Sequence, residues 1–364
     1  MSAKVKKIIL SGYYGFDNAG DEAVLAALCQ ILRNRLPEAQ LVALSAKPEQ
    51  TAAVLDVRAV NRWDKAALRA ELQDAALFCS GGGSLLQDVT SVRSVWYYTS
   101  LLRLAQKQGV PTIVLAQGLG PLRTGLGRWL TRRALSRCHL LSWRDAASLR
   151  LAAEIMKDEA GQSVPSYQVC DPVLLWQPKL PEAQAEQEPA EAADGPTVAL
   201  ALRPWPGLNA AAAAQLVQAL QQAGCRVALL PYHQGEDEKL AAQINAALLT
   251  AKQPKAEVWL ANTPQQAWAA VGRADLLLGM RLHSLIMAAA QGVPALAVSY
   301  DPKVEAFAAS VQMSLAEGGV SLPAEQVAAQ LLALPKRPVA YPLGPLLAGW
   351  QPLLAAICRI LADK

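Results

Sequence analysis

Two long stretches of the chain alternate short apolar runs with segments of helical periodicity, and this alternation limits the fold most. The first stretch begins at an apolar run over 5–11, followed by a glycine-containing loop and by leucines spaced for one helix face. The second stretch restarts the alternation at Thr197 and continues to Ser299. Strands that alternate with helical segments are typical of parallel βαβ units. The pattern predicts an α/β protein with two doubly wound, Rossmann-like domains.

The apolar runs and periodic segments predict individual elements. In the first stretch we expect strands at 5–11, 41–45, 76–80, 111–116 and 140–143, and helices from about Glu22 to Pro37, over 92–108 and around Trp129 and Leu135. In the second stretch we expect strands at 197–202, 226–230, 257–260, 275–278 and 294–299, and helices over 209–223, after Glu236 and over 282–291. An amphipathic stretch at 345–361 predicts a terminal helix.

Composition changes between 176 and 196, where prolines interleave with Glu, Gln and Ala. Such a segment is typical of an exposed, semi-stiff linker. We therefore expect an N-terminal Rossmann-like domain at 1–175, a linker at 176–196, a C-terminal Rossmann-like domain at 197–335 and a helical tail at 336–364. Two such domains imply a cleft, and ligands of doubly wound sheets bind beyond the carboxyl ends of the strands.

The length and composition agree with two soluble domains. The chain has 364 residues, of which 52% are hydrophobic and 18% charged, with a formal net charge of +4. These values exclude a disordered chain, and no window holds the roughly 20 uninterrupted apolar residues of a membrane span. The basic start is followed by an apolar run that stops at Leu10, which favours a first strand over a signal peptide. We expect a cytoplasmic protein, and because Lys and Arg do not cluster into a stripe we expect no nucleic-acid partner.

Several motifs are absent from the sequence. None of the six cysteines forms a C-x-x-C pair, so we expect reduced, mostly buried thiols and no metal site. The chain also lacks a G-x-x-x-x-G-K-[ST] phosphate loop, a G-x-G-x-x-G fingerprint after the first strand, and the H-E-x-x-H and G-x-S-x-G motifs. The sequence therefore contains no motif that supports nucleotide hydrolysis, dinucleotide redox chemistry, zinc proteolysis or serine hydrolysis.

A strand end in the second stretch carries the most suggestive polar residues. The run 275–279 leads through Met280 into Arg281, Leu282 and His283, which open a helix. A helix N-terminus favours anions, an arginine fork suits a carboxylate or phosphate, and a histidine exchanges a proton near neutral pH. The competing interpretation is that Arg281 pairs with a nearby carboxylate and that His283 packs as a hydrogen-bonded core residue.

Other strand ends of the second stretch add further charged side chains. They carry Arg203, His233 with Asp237, and Lys303. Each alone fits a solvated loop residue. Together the cations would line one edge of the sheet and suit a small, multiply charged anion.

The loop after the first strand, 12–21, contains three glycines and the acceptor side chains Asp17, Asn18 and Asp21. Glycines permit close backbone approach, and these side chains could accept hydrogen bonds from sugar hydroxyls. An acidic residue at the start of a helix, such as Asp21, is also stabilising without any ligand.

Two further loops of the first stretch are candidates for ligand contact. The loop 80–84, with Gly82 and Gly83 between Ser80 and Ser84, is either a ligand-contacting loop or only a tight turn. Arg144 follows a predicted strand end, and we expect it to face the same cleft.

Six segments in this order resemble the polysaccharide pyruvyl transferase family, most closely its bacterial branch that acts on secondary cell-wall polymers, which anchor S-layers. They are GYYGFDNAGDEA at 12–23, SGGGSLLQD at 80–88, QGLGP at 117–121, SWRD at 142–145, GMRLHS at 279–284 and YDPKV at 300–304. The resemblance covers neither the linker at 176–196 nor the tail after about 320.

This resemblance implies a GT-B-like fold and phosphoenolpyruvate as a co-substrate, with no other cofactor. It implies transfer of pyruvate, with release of phosphate, as a ketal that bridges two hydroxyls of one sugar. In this branch the acceptor is an N-acetylmannosamine residue, bridged at its 4- and 6-hydroxyls, on a lipid-linked precursor. Such an acceptor would place the protein at the inner face of the cytoplasmic membrane.

The resemblance also assigns residues. Arg281, Leu282 and His283 match the donor-site triplet of the family, and Arg144 resembles its second donor-site arginine. We expect Arg203 and Lys303 to assist donor binding, His283 to act as the acid, and Asp17 or Asp21 as the base. For the acceptor we expect contacts from Asn18, Asp21, Gly82, Gly83 and Gln117.

Two other functions remain open from the sequence. One is a GT-B glycosyltransferase that uses a nucleotide sugar, with Arg281 on its diphosphate. The other is a non-catalytic, two-lobed protein that binds an anion.

Overall fold

The computed structural model describes residues 6–89, 91–157, 164–180 and 195–362. Its first sheet has the strands β1 (Lys7–Tyr14), β2 (Gln40–Ser45), β3 (Arg58–Asn61), β4 (Ala75–Gly81), β5 (Thr112–Gln117), β6 (Leu140–Trp143) and β7 (Ser166–Gln168). They pair in the order β3-β2-β1-β4-β5-β6-β7, and every pair is parallel. The helices of this part are α1 (Ala19–Arg35), α2 (Pro48–Leu55), α3 (Lys65–Gln73), α4 (Val92–Lys107), α5 (Gly125–Leu135) and α6 (Ala146–Met156).

The second sheet has the strands β8 (Thr197–Ala201), β9 (Arg226–Leu229), β10 (Glu257–Val258), β11 (Leu276–Gly279), β12 (Ala295–Ala297) and β13 (Ser314–Leu315). They pair in the order β10-β9-β8-β11-β12-β13, again all parallel. The helices here are α7 (Ala210–Gln222), α8 (Glu236–Thr250), α9 (Pro264–Arg273), α10 (Leu282–Gln291), α11 (Pro302–Ser310) and α12 (Ala324–Leu332). Two parallel sheets with alternating helices confirm the predicted α/β, doubly wound class.

The central strands are buried on both faces, which explains their continuous apolar runs. Every residue of β5 and of β8 is buried, and Ile8, Ile9 and Leu10 of β1 are fully inaccessible to solvent. Parallel sheets covered by helices on both faces require such sequences, because each side chain meets a helix. The carboxyl ends of these strands are therefore the places where polar residues can meet a ligand.

The chain forms two compact units whose boundaries differ from the predicted ones at two segments. The first unit holds the residues up to Phe16, Val24–Trp176 and everything from Gly344 onwards; the second holds Asp17–Ala23 and Gln177–Leu343. Residues 17–23 of the predicted N-terminal domain thus belong to the second unit, because their backbone forms hydrogen bonds with residues of that unit. Residues 181–194 of the predicted linker lie outside the described residues.

The predicted tail, 336–364, is divided: residues 336–343 belong to the second unit, and the part from Gly344 onwards belongs to the first. It forms α13 (Gly344–Leu347) and α14 (Trp350–Ala362). Trp350, Leu353, Ile357 and Leu361 of α14 are buried, and the Trp350 Nε1 donates to Cys170 Sγ at 3.3 Å. The stretch Gly344–Ala362 is nevertheless long and apolar enough, by length and composition, to cross a membrane. The sequence expectation, that no window holds about 20 uninterrupted apolar residues, still holds because Gln351 and Arg359 interrupt this stretch. The buried face of α14 is what a helix packed on its own unit shows.

The cysteines behave as predicted at five of six positions. All six are unpaired, five are buried and Cys358 is half-buried. Burial raises the pKa of Cys29 to about 12 and the pKa of Cys138 to about 12. These thiols therefore stay protonated and pack as small apolar side chains.

Candidate functional site

Arg281 lies between β11 and α10 and is held by a carboxylate. Its Nε donates to Asp237 Oδ2 at 2.9 Å, and its Nη2 donates to Asp237 Oδ1 at 2.5 Å. Asp237 lies in the first turn of α8 and is 2% exposed, and its Oδ2 also accepts the backbone N–H groups of Tyr232 and His233 at 3.1 and 3.0 Å. Arg281 therefore does pair with a nearby carboxylate, as the competing interpretation states. The pair uses two of the five guanidinium N–H groups, so it also fixes the direction of the other three.

The start of α10 adds a positive helix end beside this guanidinium. Arg281 occupies the N-cap position with extended backbone and makes no side-chain cap. The Leu282 side chain is buried, so this residue anchors the first turn and offers a ligand its backbone only. The first N–H groups of a helix and its dipole favour an anion. Arg281 and the helix start together form the donor-side candidate.

A segment from the beginning of the chain is joined to this part of the second unit. The Ala19 N–H donates to the Tyr232 carbonyl at 2.9 Å, and the Gln234 N–H donates to the Asp17 carbonyl at 3.1 Å. Asn18 and His233 form an antiparallel bridge between these two bonds. The loop that follows β9 therefore binds the segment as a short strand pair, which holds its side chains in fixed positions.

Gly20 of this segment lies directly on the His283 ring. A Cβ atom at Gly20 would be 2.3 Å from His283 Nδ1 and 2.8 Å from its Cγ, closer than any side chain allows. His283 is half-buried and its Nε2 is shielded from solvent. The structure thus brings the segment that carries Asp17, Asn18 and Asp21 together with His283, within the second unit. Sequence reasoning had selected these residues but not Gly20.

The other predicted cations of the second unit differ in their surroundings. The guanidinium carbon of Arg203 lies 5.3 Å from the ring centres of both Trp205 and Tyr300, and its Nη1 is 3.4 Å from the Tyr300 hydroxyl. Two aromatic faces hold this cation in one position. Lys303 is 37% exposed and pairs with Asp301, the N-cap of α11, at 3.4 Å. Lys303 therefore forms a surface ion pair, which contributes little. Of the two cations, Arg203 is the one whose side chain is held in place for binding an anion.

Arg144 of the first unit is buried in a polar setting at the end of β6. Its Nη1 donates to Asp171 Oδ2 at 3.0 Å and its Nη2 to Ser84 Oγ at 2.9 Å, and 7% of its side chain is exposed. Arg144 and Arg281 belong to different units, so a donor site that uses both stays a prediction.

Two side chains at neighbouring strand ends of the first unit are buried without hydrogen-bond partners. Gln117, the last residue of β5, is fully buried, and neither amide atom has a partner among the described residues. The Ser80 hydroxyl near the end of β4 is in the same situation. A buried polar group without a partner costs about 1–3 kcal/mol, and such groups are rare unless a ligand or solvent binds them. The sequence predicts Gln117 as an acceptor contact and places Ser80 in a loop that could contact a ligand. Both are polar residues at the carboxyl end of an apolar strand.

Packing and backbone conformation explain a glycine at position 82 of the triplet 81–83. Gly82 and Gly83 have φ values of +72° and +63°, and a Cβ at Gly82 would lie 2.0 Å from Val24 Cγ1. The tight-turn interpretation therefore explains Gly82 without a ligand.

Asp88, at the end of the same motif, holds the loop before α5. Its carboxylate accepts the backbone N–H groups of Arg123 and Thr124 at 2.6 and 2.9 Å and the Thr124 hydroxyl at 2.5 Å. Burial acts to raise the pKa of Asp88, but these hydrogen bonds outweigh it and hold the pKa below its ordinary value. The Asp88 carboxylate therefore positions the start of α5.

Metal ligands do not group together in the part of the chain that the structure describes: it holds no set of three His, Cys, Asp or Glu side chains suited to an ion.

Comparison with known proteins agrees with this architecture. The sequence model of the family described as polysaccharide pyruvyl transferase matches residues 18–302. No curated protein sequence matches significantly. The fold is similar to UDP-GlcNAc 2-epimerase from Neisseria meningitidis bound to UDP-GlcNAc, with a TM-score of 0.59 at 11% identity over 98% of this chain and 100% of that one.

Two other solved structures share the fold. A glycosyltransferase from Rickettsia africae has a TM-score of 0.58 at 8% identity over 99% of this chain and 94% of that one. Anabaena HepE in complex with UDP and glucose has a TM-score of 0.57 at 12% identity over 90% of each chain. At such identities the likeness shows the fold alone, two Rossmann-like domains of the GT-B kind, as predicted.

Proposed function

The chain belongs to the polysaccharide pyruvyl transferase family, and from this membership we propose that it transfers pyruvate from phosphoenolpyruvate to a sugar as a 4,6-ketal. Membership itself supports transfer of pyruvate to a polysaccharide. The proposal adds phosphoenolpyruvate as the co-substrate, phosphate as the second product, and an N-acetylmannosamine residue of a lipid-linked cell-wall precursor as the acceptor. It follows the bacterial branch whose polymers anchor S-layers, and it needs no metal or further cofactor.

The observation that carries the proposal is the contact between Gly20 and the His283 ring. It joins a segment that carries Asp17, Asn18 and Asp21 to the histidine that opens a helix beside a fixed arginine. The second unit thus contains a candidate acid, carboxylates that could act as the base, and a helix N-terminus that favours an anion. These are the groups that addition of a hydroxyl to an enol phosphate requires.

For the donor, we assign the negative groups of phosphoenolpyruvate to cations with fixed directions. Arg281 and the first turn of α10 would bind one anionic group, and Arg203 would assist, since its aromatic neighbours hold it in place. Arg144 of the first unit is the proposed second arginine. Lys303 would contribute long-range attraction only, because it is exposed and paired.

In the proposed reaction, His283 as imidazolium gives a proton to the methylene carbon of phosphoenolpyruvate, and C2 becomes electron-poor. A sugar hydroxyl attacks C2 while Asp17 or Asp21 takes its proton. The second hydroxyl then attacks C2, its proton leaves with the phosphate, and the ketal closes. The C2–O bond to phosphate breaks as the second C2–O bond to the sugar forms. His283 gives one proton to the new methyl group, one hydroxyl proton passes to the aspartate and the other leaves with phosphate, and return of the aspartate's proton to His283 restores both groups.

The acceptor would bind to groups from three of the sequence motifs, 12–23, 80–88 and 117–121. We propose Asn18 and Asp21 as acceptors for its hydroxyls, the backbone at Gly82 and Gly83 as a close contact, and Gln117 as a buried hydrogen-bonding group. Ser80 joins this set on the strength of its burial. A lipid-linked acceptor would place the reaction at the cytoplasmic face of the membrane.

A nucleotide-sugar glycosyltransferase is the second candidate. Two of the structures with a similar fold contain UDP or a UDP-sugar, and Arg281 at a helix start would suit a diphosphate equally well. A non-catalytic protein that only binds an anion would use the same groups without turnover.

Isothermal titration of phosphoenolpyruvate and of a panel of UDP-sugars separates these candidates. We expect phosphoenolpyruvate to bind, and Arg281→Lys to weaken its binding at least about tenfold, because an ammonium cannot reproduce a fork held by Asp237. Arg359→Lys, at an exposed arginine of α14, is the matched control and should bind like the wild type. Tight binding of a UDP-sugar without binding of phosphoenolpyruvate would contradict the proposal.

A further inference from the structure

The expectation that Lys and Arg do not cluster is wrong for one segment of the chain. Residues 89–144 contain nine arginines and lysines and no aspartate or glutamate, although the whole chain has a net charge of only +4. The nine cations are Arg93, Arg103, Lys107, Arg123, Arg128, Arg132, Arg133, Arg137 and Arg144. The segment includes α4, β5 and α5, so much of this charge lies on two helices of the first unit.

The two helices are neighbours and place their cations beside exposed apolar side chains. Gln106 of α4 donates from Nε2 to the Ala134 carbonyl of α5 at 3.0 Å, and both helices contribute leucines to one core. On α4, Arg93, Trp96 and Lys107 are exposed at spacings that keep them on one helix face, and Trp96 is 60% exposed.

The outward side of α5 repeats this combination. Leu126 and Trp129 are 55% and 52% exposed, and the Arg133 guanidinium carbon lies 5.5 Å from the centre of the Trp129 ring. We call Arg93, Trp96, Lys107, Leu126, Trp129 and Arg133 the α4–α5 surface. Arg128 is left out because it pairs with Glu154 of α6 at 2.7 Å.

A basic recess lies at the carboxyl end of this surface. It has a volume of about 350 Å³ and is lined by Gln106, Lys107, Gly109, Val110, Arg137 and His139. Its size and its cations suit the phosphate of a headgroup. Attractive charge and a recess for an anion therefore accompany the exposed tryptophans.

We propose that the α4–α5 surface binds the protein to a bilayer that contains anionic phospholipid. Arginine and lysine attract the negative surface of such a bilayer, and tryptophan and leucine between them enter the level of the headgroups. Exposed tryptophan and leucine side chains find no apolar partner along the phosphate backbone of a duplex, so they favour a membrane over a duplex nucleic acid. The inference stands on this surface and does not require the proposed acceptor.

Sedimentation with vesicles tests the inference on the full chain, without donor or acceptor. Vesicles contain equal parts of phosphatidylglycerol and phosphatidylcholine, or phosphatidylcholine alone. We expect binding to the first kind, weakened by salt, and little binding to the second. The triple variant Arg93→Glu, Arg133→Glu and Arg137→Glu should bind at least about 100-fold more weakly. Trp96→Ala with Trp129→Ala should weaken binding about tenfold.

The matched control reverses three exposed cations outside the surface: Arg69→Glu, Lys239→Glu and Lys255→Glu. It carries the same net charge as the first triple variant and should keep most of the vesicle binding. Pyruvyl transfer to a water-soluble acceptor should be unchanged in both triple variants, which separates this inference from the proposed function. Equal loss in the two triple variants, equal binding to neutral vesicles, or tighter binding to duplex DNA than to anionic vesicles would overturn the inference.

Discussion

A glycine determines where the proposed acid lies. Gly20 is the point at which the Asp17–Ala23 segment touches the His283 ring, and only a residue without a side chain fits there. The hydrogen bonds of Ala19 and Gln234 hold the backbone on either side of this contact. A change at Gly20 should therefore act on the histidine rather than on the backbone.

Gly20→Ala should reduce the rate of pyruvyl transfer by about 10²-fold or more, close to the effect of removing a general acid. The new methyl group would overlap the ring at Nδ1 and Cγ, so His283 must turn away. We expect the loss in kcat, with the unfolding midpoint little changed because the ring can rotate. Gly344→Ala, where a Cβ would meet nothing within 4 Å, is the matched control. A Gly20→Ala variant with wild-type kcat would show that the ring position does not matter.

Single residues were predictable where their position along a strand implied their role. Arg281 and His283 were found because they follow a strand and open a helix. The bidentate partner of Arg281 was not predicted, since Asp237 is 44 positions away in the sequence and only the paired sheet brings them together. Ser80 lay within a candidate ligand loop but received no role of its own, because a serine in an apolar strand usually has a hydrogen-bond partner.

At the scale of elements, Asp88 connects the 80–88 motif with the residues that follow the 117–121 motif, which are far apart in the sequence. Its carboxylate receives three hydrogen bonds from the residues that begin α5. The lowered pKa of Asp88 means that its ionised form stabilises the folded state. That contribution is complete above the ordinary value of 3.8 and is lost as the pH falls through the lower folded-state pKa.

Asp88→Asn should lower the free energy of unfolding by about 1–3 kcal/mol at neutral pH, because an amide nitrogen would face donors. The difference from the wild type should shrink as the pH falls below 3.8 and be smallest below the lower folded-state pKa, where the wild-type carboxylate is protonated in the folded state as well. Urea unfolding at pH values on both sides of this range measures both effects. Asp64→Asn, at the exposed cap of α3, should lose little, since asparagine caps equally well. An undiminished difference in acid would contradict the assigned role of the Asp88 charge.

The long periodic elements were predictable and the short polar ones were not. The helix α10 has the predicted bounds, 282–291, and the buried strands β4, β5 and β8 lie within one residue of their predicted positions. The edge strand β3 was missed because Arg58 and Asn61 at its ends are exposed and polar, so no apolar run marks it. Tyr14 extends β1 beyond its predicted end, because its backbone pairs with Ser45 and its hydroxyl donates to the Gly81 carbonyl at 2.7 Å.

At the scale of the molecule, the two sheets followed from the sequence because each βαβ unit is a local pattern. The exchange of segments between the units did not. Asp17–Ala23 belongs to the second unit because its backbone pairs with residues more than 200 positions later. The hydrophobic periodicity of a segment carries no information about so distant a partner. The basic surface on α4 and α5 could not be predicted for a different reason. The net charge of the chain is a single number and does not record where the charged residues lie.

Mass spectrometry of an acceptor panel incubated with phosphoenolpyruvate tests the central claim most directly. We predict that a synthetic N-acetylmannosamine-containing acceptor gains one pyruvyl group as a ketal while phosphate is released, and that His283→Ala slows this reaction by about 10²–10⁴-fold. An acceptor that stays unchanged with phosphoenolpyruvate but gains a sugar from a UDP-sugar would contradict the claim.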